Sequence, residues 1–381
     1  MKHYDYIISG AGAAGLSLLM RMMQHKYFET KNILVVDKAP KTKNDRTWCY
    51  WEKQQGLFDV VVHHRWQQVN FFSDHFSSQL DLSPYQYKMI RGIDFYNHVI
   101  ADASTRANIT FLYGEVEAVG NEGANGLVVV NGERYTASYV FNSILFSKPA
   151  VPADKYFLLQ HFKGWMIETA APAFNPTIAT LMDFRVSQQH GTTFVYVLPV
   201  AANKALVEYT LFTKELLPPD DYNQALQHYI SSRLGIEQYE VTEEEFGAIP
   251  MTNIKFVKKL GRVINVGTAG GQTKASSGYT FQFIQKQTQQ LVEDLVFSGE
   301  IKQHDSFFER RFQLYDSTLL NILHNNKLGG DKIFSDLFRK NEPARVLRFL
   351  DNESDIEDEI KIMASVPPGI FMKAALQELF K

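Results

Sequence analysis

The sequence predicts an α/β protein: a Rossmann-type unit interleaved with a mainly antiparallel β-sheet, then a helical C-terminal part. Three observations predict it. A glycine-spaced strand, turn and helix opens the chain, strands of period-2 alternation fill its middle, and helical periodicity dominates its end. The expected units are residues 1–150 and 256–300 for the first, discontinuous domain, residues 151–255 for the antiparallel domain, and residues 301–381 for the helices.

The opening unit carries the chemistry most readable from spacing. Tyr4 to Ser9 is an apolar strand that runs into Gly10, Ala11, Gly12, Ala13, Ala14 and Gly15. Gly10 permits the tight turn, Gly12 lets the backbone approach a pyrophosphate, and Gly15 lets helix and strand pack closely. The helix over Leu16 to Phe28 thereby points its free N–H groups at phosphate. A second strand, Ile33 to Val36, ends at Asp37 and Lys38, where the carboxylate can accept from ribose hydroxyls. Together these parts read as a dinucleotide site.

Further along, Tyr87 to Ile90 is a short strand, Ile93 to Ala103 a helix and Ile109 to Val119 another strand. Leu127 to Val130 and Arg134 to Ala137 flank Asn131-Gly132, the signature of a hairpin with a type I′ turn, and Tyr139 to Leu145 returns to the parent sheet. From Phe157 to Phe212 the alternation is that of antiparallel strands, with Thr192 to Pro199 and Lys204 to Phe212 as a second hairpin. Arg262 to Val266 comes back to the nucleotide unit and meets a block of small residues holding Gly267, Thr268, Gly270, Gly271 and Gly278. Tyr279 then opens a helix to Phe297. Such a block allows close backbone approach to phosphate, ribityl or flavin-ring oxygens, or is an ordinary glycine-rich connection. The remainder reads helical, with breaks near Gly329-Gly330 and Pro367-Pro368.

Composition narrows the function classes. A formal net charge of -3, from 39 basic and 42 acidic side chains, gives no reason to expect nucleic acid. The single cysteine, Cys49, forbids an intrachain disulfide and fits a reducing cytoplasm. The chain enters its first strand at once, so no signal peptide is expected, and no apolar run reaches the ~18 residues of a membrane span. His63, His64 and the other histidines lack ligand spacing, so no metal is expected. With 28 Phe and 18 Tyr the chain can line a wide apolar cavity or fill a core.

An ordered set of blocks resembles the lycopene cyclases of the bacterial β-cyclase type. They are Asp45-Arg46-Thr47-Trp48-Cys49-Tyr50-Trp51-Glu52, Gln160-His161-Phe162-Lys163-Gly164-Trp165, Val207-Glu208-Tyr209-Thr210, Glu243 through Met251, and Gly267 through Phe281. The likeness runs from about Tyr4 to about Leu295. It implies a glutathione-reductase-like fold that binds FAD and closes the ends of lycopene, or a related linear carotenoid, into β-ionone rings with no net redox change. It also implies that the flavin acts in its reduced form, with NADPH or NADH only as reductant. In flavoproteins of the hydroxylase and prenyl-reductase kind the corresponding stretch begins Gly-Asp, and Thr268 stands here in the place of the acid that contacts the ribityl chain, a departure that fits the cyclase reading.

Ring closure needs a proton given to a terminal alkene, walls that tolerate a carbocation, and a base for a different proton, with water excluded. Glu208 matches the family's acid. Alternation puts it on the face of Leu206, Thr210 and Phe212, and Val207, Tyr209 and Leu211 on the other. Trp48, Tyr50, Trp51, Trp165 and Tyr196 are candidates for cation–π walls or for ordinary packing, with Arg46 and Glu52 bracketing the first cluster. Arg91 serves either the pyrophosphate or a surface salt bridge, and Glu243 to Glu245 hold either a second acid or a solvated face. A C40 hydrocarbon dissolves only in a bilayer. Peripheral membrane contact of a cytoplasmic protein is therefore expected, through the amphipathic stretch Ile370, Phe371, Ala374, Ala375, Leu376, Leu379 and Phe380. A redox flavoenzyme (a monooxygenase or isoprenoid reductase) and a noncatalytic carotenoid carrier remain as alternatives.

Overall fold

The computed structural model describes residues 2–147, 149–302 and 307–381. In chain order its elements are β1 (Lys2–Ser9), α1 (Ala13–Met23), β2 (Ile33–Asp37), β3 (Thr47–Glu52), β4 (His64–Trp66), β5 (Gln68–Phe72), β6 (Ser77–Asp81), β7 (Gln86–Arg91) and α2 (Gly92–Ser104). There follow β8 (Ile109–Tyr113), β9 (Val116–Glu122), β10 (Asn125–Val130), β11 (Glu133–Asn142), β12 (Phe157–Glu168), β13 (Ile178–Asp183), β14 (Thr192–Ala201), β15 (Lys204–Thr213), α3 (Pro219–Ser232), β16 (Glu240–Thr252), β17 (Lys259–Leu260) and β18 (Val263–Asn265). The helices α4 (Phe281–Ser298), α5 (Phe307–His324), α6 (Gly330–Lys340), α7 (Pro343–Leu350), α8 (Ile356–Ser365) and α9 (Pro368–Leu379) complete the chain.

The first sheet runs β17-β18-β11-β1-β2-β8, parallel from β18 to β8. Because the strands are parallel, Ser9, Asp37, Asn142 and Asn265 all end at one edge, the edge where open α/β sheets bind ligands. Both faces of the sheet are covered, which is why Ile33 to Val36 are apolar without alternation. Arg21 Nε donates to Thr288 Oγ1 at 3.1 Å, and Gln285 Nε2 to Ser17 Oγ at 2.9 Å, tying α1 to α4.

Three details differ from the sequence expectations. The first helix stops at Met23, because His25 turns extended and its Nδ1 accepts from Tyr27 N at 3.3 Å to start a separate 3₁₀ turn. Ile109 to Val119 is two strands: Gly114 N donates to Asp37 O at 2.9 Å, ending β8 beside β2, and β9 then leaves to pair with β10. The hairpin's second arm and the returning strand are one element, β11. Its turn residues Asn131 and Gly132 have φ of 47° and 77°, as the type I′ reading requires.

The second sheet has the order β16-β12-β15-β14-β13-β5-β6, antiparallel except where β13 meets β5. Its strands separate two cores, as alternation demands. Val207, Tyr209 and Leu211 pack with Tyr222, Leu226 and Tyr229 of α3. Leu206 and Phe212 lie on the opposite face, with Phe194, Tyr196 and Leu198. That face is roofed by α6 and α7 and by a three-stranded sheet, β3-β7-β4, which joins the two large sheets. Rings fill the contact: Phe338 lies 5.1 Å from Phe71, and Phe334 stacks 5.9 Å from Phe184.

Candidate active site

At the carboxyl edge of the parallel sheet, each glycine does a distinct job. Gly10 has φ of 101°, and a Cβ there would lie 2.1 Å from Ser143 Oγ; one at Gly15 would lie 1.9 Å from Gly10 O. A Cβ on Gly12 would meet nothing within 4 Å, so open space lies over the start of α1. The helix begins there with no side-chain cap and no acid in its first turn. Free N–H groups facing open space make an anion cradle, and the residues fit a dinucleotide pyrophosphate. Ala14 backs the cradle from inside: a Cβ on Gly267, which has φ of 60°, would lie 2.7 Å from its Cβ.

Asp37 stands beside this edge and accepts from Ala11 N at 2.7 Å and from Lys41 Nζ at 3.2 Å. A ribose would therefore share its oxygens with groups already bonded there. Lys38 is exposed one residue on. Gly267, Thr268 and Gly270 form a single 3₁₀ turn, and Gly271 caps it with φ of 74°. Arg46 lies outside, 56% exposed and paired with Asp45. Arg91 grips Asp94 through two bonds of 2.7 and 2.9 Å, so the salt-bridge alternative describes this arginine.

A second constellation spans the seven-stranded sheet. Register places Glu245 of β16 opposite Gly164 of β12, Gly164 opposite Glu208 of β15, and Glu208 opposite Tyr196 of β14. These four positions form one row on one face. Thr210 Oγ1 donates to Glu208 Oε1 at 2.9 Å. Tyr196 OH lies 3.5 Å from Tyr279 OH, and Tyr279 meets Trp51 edge to face at 4.5 Å. Tyr279 and Gly278, read from sequence as flavin contacts, therefore face the second sheet. A Cβ on Gly278 would lie 1.8 Å from Gln160 Oε1, a buried oxygen that has no partner.

Burial pushes the Glu208 carboxyl well above the ordinary glutamate value, and the charge of Glu245 adds to it; Thr210 pulls the other way. Glu245 is also raised, by burial first, against polar contacts from Thr47. Burial and the two glutamates push the Cys49 thiol up, so it is no thiolate nucleophile. Burial likewise keeps Tyr87 and Tyr196 neutral. A row in which burial favours the protonated form of a carboxyl, set against an aromatic core, can deliver a proton to an apolar ligand.

The structure divides the aromatic residues singled out from sequence. In β3 the side chains alternate. Trp48 packs on Phe95 and Tyr96, and Tyr50 stacks on Phe281 at 4.6 Å, both in the core of the nucleotide unit. Glu52 takes a bond of 2.9 Å from Lys88 Nζ, which also donates to Asp59. Trp51 and Cys49 face the other way, toward the carboxyl row. Trp165 is misassigned as a wall for the same reason: it is one residue past Gly164, so it faces α3. There it borders a surface cavity of about 660 Å³ with Gln224, His228 and Tyr239. The acidic triplet divides too. Glu244 pairs with Lys163 at 3.0 Å, Glu243 accepts from Asn44 Nδ2 at 2.7 Å, and Glu245 is buried beside Glu208. A solvated face is thus the wrong description of Glu245. Its signal was Gly164, a lone glycine inside a strand of large residues, which marks close approach of neighbours.

Among the described residues no helix is long and apolar enough to cross a membrane, and no group of three or more His, Cys, Asp or Glu has metal-site geometry.

Comparison with known proteins bears on the fold and on the family. The chain is similar in fold to a geranylgeranyl bacteriochlorophyll reductase-like protein from Thermoplasma acidophilum, with TM-score 0.69 and 13% identity over 99% of this chain and 100% of that one. It is similar to a flavoprotein/dehydrogenase from Cytophaga hutchinsonii, with TM-score 0.65 and 11% identity over 99% of each. The fold is that of FAD-dependent flavoprotein oxidoreductases. In sequence the chain is 26% identical to a lycopene beta-cyclase of Pantoea ananas over 66% of its own length, and 24% identical to one of Pseudescherichia vulneris over 65%. Those matches span 63% and 62% of the relatives' own lengths. Residues 5–376 match the family described as lycopene cyclase protein, so the helices beyond Leu295 lie within the family's domain and the chain belongs to the lycopene cyclase family.

Proposed function

We propose that the protein is a lycopene β-cyclase that converts lycopene to β-carotene by acid-initiated ring closure at unchanged mass. The observation that supports this best is the half-buried carboxyl of Glu208, held above its ordinary pKa on an aromatic face, in a chain of this family. Glu208 gives a proton to the terminal alkene carbon. The neighbouring double bond attacks the resulting tertiary cation, and loss of a ring proton restores an alkene. Trp51, Tyr196 and Tyr279 supply π faces on the Glu208 side of the sheet, worth roughly 0.5 to 2 kcal/mol per well-placed ring. The apolar packing of Phe194, Leu206 and Phe212 keeps out the water that would trap the cation as an alcohol.

FAD is the cofactor in this reading, held at Gly10 to Gly15, Asp37 and the Gly267 turn. Bound in its reduced form, kept so by NADPH or NADH, it would supply negative charge near the cation. Gly12→Val should place methyl groups where the pyrophosphate lies and leave the protein colourless; normal flavin uptake by that variant would rule the cradle out. Peripheral membrane contact is part of the proposal. Met372, Leu376, Leu379 and Phe380 of the last helix and its end are at least half exposed, while Ile370, Phe371 and Ala374 pack inward. On α8, Ile356 and Ile360 are also exposed.

The decisive experiment incubates the purified protein with lycopene, FAD and a reductant without oxygen, and identifies the product by retention and mass. A bicyclic product of unchanged mass is expected. A product of altered mass formed with consumption of reductant would favour a redox flavoenzyme, and unchanged lycopene a carrier.

A further inference from the structure

Beside the half-buried Glu208 lies a buried carboxyl. Glu245 is 8% exposed; Thr47 and the Glu208 carboxyl bond to it, yet no ordinary donor reaches its Oε1. An orphaned buried acceptor costs stability, and one that persists calls for an explanation in function. Its position comes from three strands at once. β12 lies between β16 and β15, and Gly164 faces Glu245 on one side and Glu208 on the other. Adjacent strands are ~4.8 Å apart, so two glutamates separated by a strand interact only if they lean over the residue between them. Gly164 leaves that space free. A Cβ there would lie 3.0 Å from Glu245 Cγ and 3.2 Å from Glu245 Oε1.

We propose that Glu245 is the proton partner of Glu208: the two carboxyls hold one proton between them across Gly164, so Glu208 stays loaded until substrate arrives and the pair recovers the proton that leaves the ring. The inference rests on the cyclisation reading and adds a positioning residue to it. Two carboxylates brought together away from water cannot both ionise cheaply, so the first proton is bound tightly. The groups that face the pair reinforce this. Thr47 and Cys49 come from β3, Tyr87 from β7, Tyr196 from β14, Thr210 from β15 and Tyr279 from the turn before α4. Glu243, on β16 itself, adds a like charge that pushes in the same direction.

The steps balance. Donation breaks the Glu208 O–H bond, forms a C–H bond on the alkene, and leaves two carboxylates facing one cation with the total charge unchanged. Attack by the neighbouring double bond closes the ring through its near carbon and leaves the cation on its far carbon. Transfer of a ring proton to the carboxylate pair forms the new alkene and restores the starting state, with no electron gained or lost.

The test follows the protonated-carboxyl infrared band of the flavin-loaded protein against pH, without substrate, beside the pH dependence of kcat. In the wild type the band should persist through neutral pH, and activity should fall on the alkaline side as it disappears. Glu245→Gln keeps the shape and removes the charge, so the band of Glu208 and the alkaline limb should both move down by about one pH unit or more. A purely structural role would lower the rate at every pH and leave both midpoints in place, and that result overturns the proposal. Should Glu245→Gln fail to take up flavin, Glu245→Asp serves instead: its shorter reach must also lower the midpoint, and an unmoved midpoint again overturns the pairing. The two possible failures separate. A band that moves as expected in a protein that leaves lycopene unchanged supports the shared proton and overturns the cyclase reading, whereas active cyclisation with unmoved midpoints overturns the pair alone.

Discussion

The two faces of the seven-stranded sheet bury polar groups in opposite ways. On the face toward α3, His161 is fully buried and both ring nitrogens are engaged, at 2.7 Å from Thr213 Oγ1 and 2.6 Å from Tyr222 OH. Asp183, also fully buried, accepts from Arg185 Nε at 2.9 Å and Nη2 at 2.7 Å and from Tyr229 OH at 2.8 Å. On the opposite face, Glu245 Oε1, Gln160 Oε1 and Ser277 Oγ are buried without partners, and two carboxyls crowd together. A fold stabilises itself by satisfying what it buries. Leaving Glu245 Oε1 unsatisfied beside another carboxyl costs stability, and a fold bears such a cost where function needs it. One group breaks the pattern on the α3 side: Trp165 Nε1 is buried without a partner.

The comparison is tested most sharply at Glu208. Glu208→Gln keeps shape and polarity and loses the transferable proton, so cyclisation should slow by at least ~100-fold, the lower end of general acid–base contributions. Flavin uptake should stay near wild type, because the row lies away from the α1 cradle, and the melting temperature should not fall, because the change removes one of two crowded carboxyls. Near-normal turnover by a flavin-loaded Gln variant would remove Glu208 from the chemistry and with it the contrast between faces.

How much of this contrast could be read in the sequence depends on distance along the chain. The cradle was legible because Gly10, Gly12, Gly15 and Asp37 lie within one strand, one helix and the next strand, and local spacing fixes their geometry. The face of Glu208 was legible for a similar reason, since period 2 needs only the neighbours Leu206 and Thr210. Glu245 was not, because its partner is set by the pairing of β16 and β15 to opposite edges of β12, and no local rule gives that register. An acidic triplet also reads as solvated by composition alone. The division of Trp48 and Tyr50 from Trp51 was legible in principle. Thr47 to Glu52 alternates as a strand, and alternation alone sends Trp51 to one side and its neighbours to the other.

At His161 the expected effect is on stability rather than turnover. Burial pushes its pKa down from 6.5 to about 4, so between those values the unfolded chain binds a proton that the folded chain refuses. Stability therefore holds above pH 6.5 and falls as pH drops toward 4. The difference of ~2.5 units corresponds to about 3 kcal/mol at ~1.36 kcal/mol per unit. Denaturant titrations at several pH values should show His161→Gln lacking that part of the acid slope, with kcat per folded molecule unchanged. An identical slope in the variant would mean that His161 is not held neutral, and the α3 face would lose its best-satisfied group.

The smallest expected effect is at Trp165, and it decides which face the residue serves. Trp165→Phe removes an indole N–H that has no partner, which relieves a desolvated donor worth about 1–3 kcal/mol. It also removes packed volume at about 25 cal/mol per Å² of buried apolar surface, beside a cavity that is already open to solvent. The two terms oppose each other, so the net change in stability should stay within about 1 kcal/mol. Turnover should not change at all, since Val207, the β15 neighbour of Trp165, and Val197 beyond it on β14 point with it toward α3 and away from the carboxyl row. Measured kcat at saturating lycopene, beside an unfolding curve, checks both statements. A tenfold loss of kcat in a variant that melts normally would place Trp165 among the walls of the carboxyl site after all, and the division between a satisfied face and a reactive one would have to be redrawn around it.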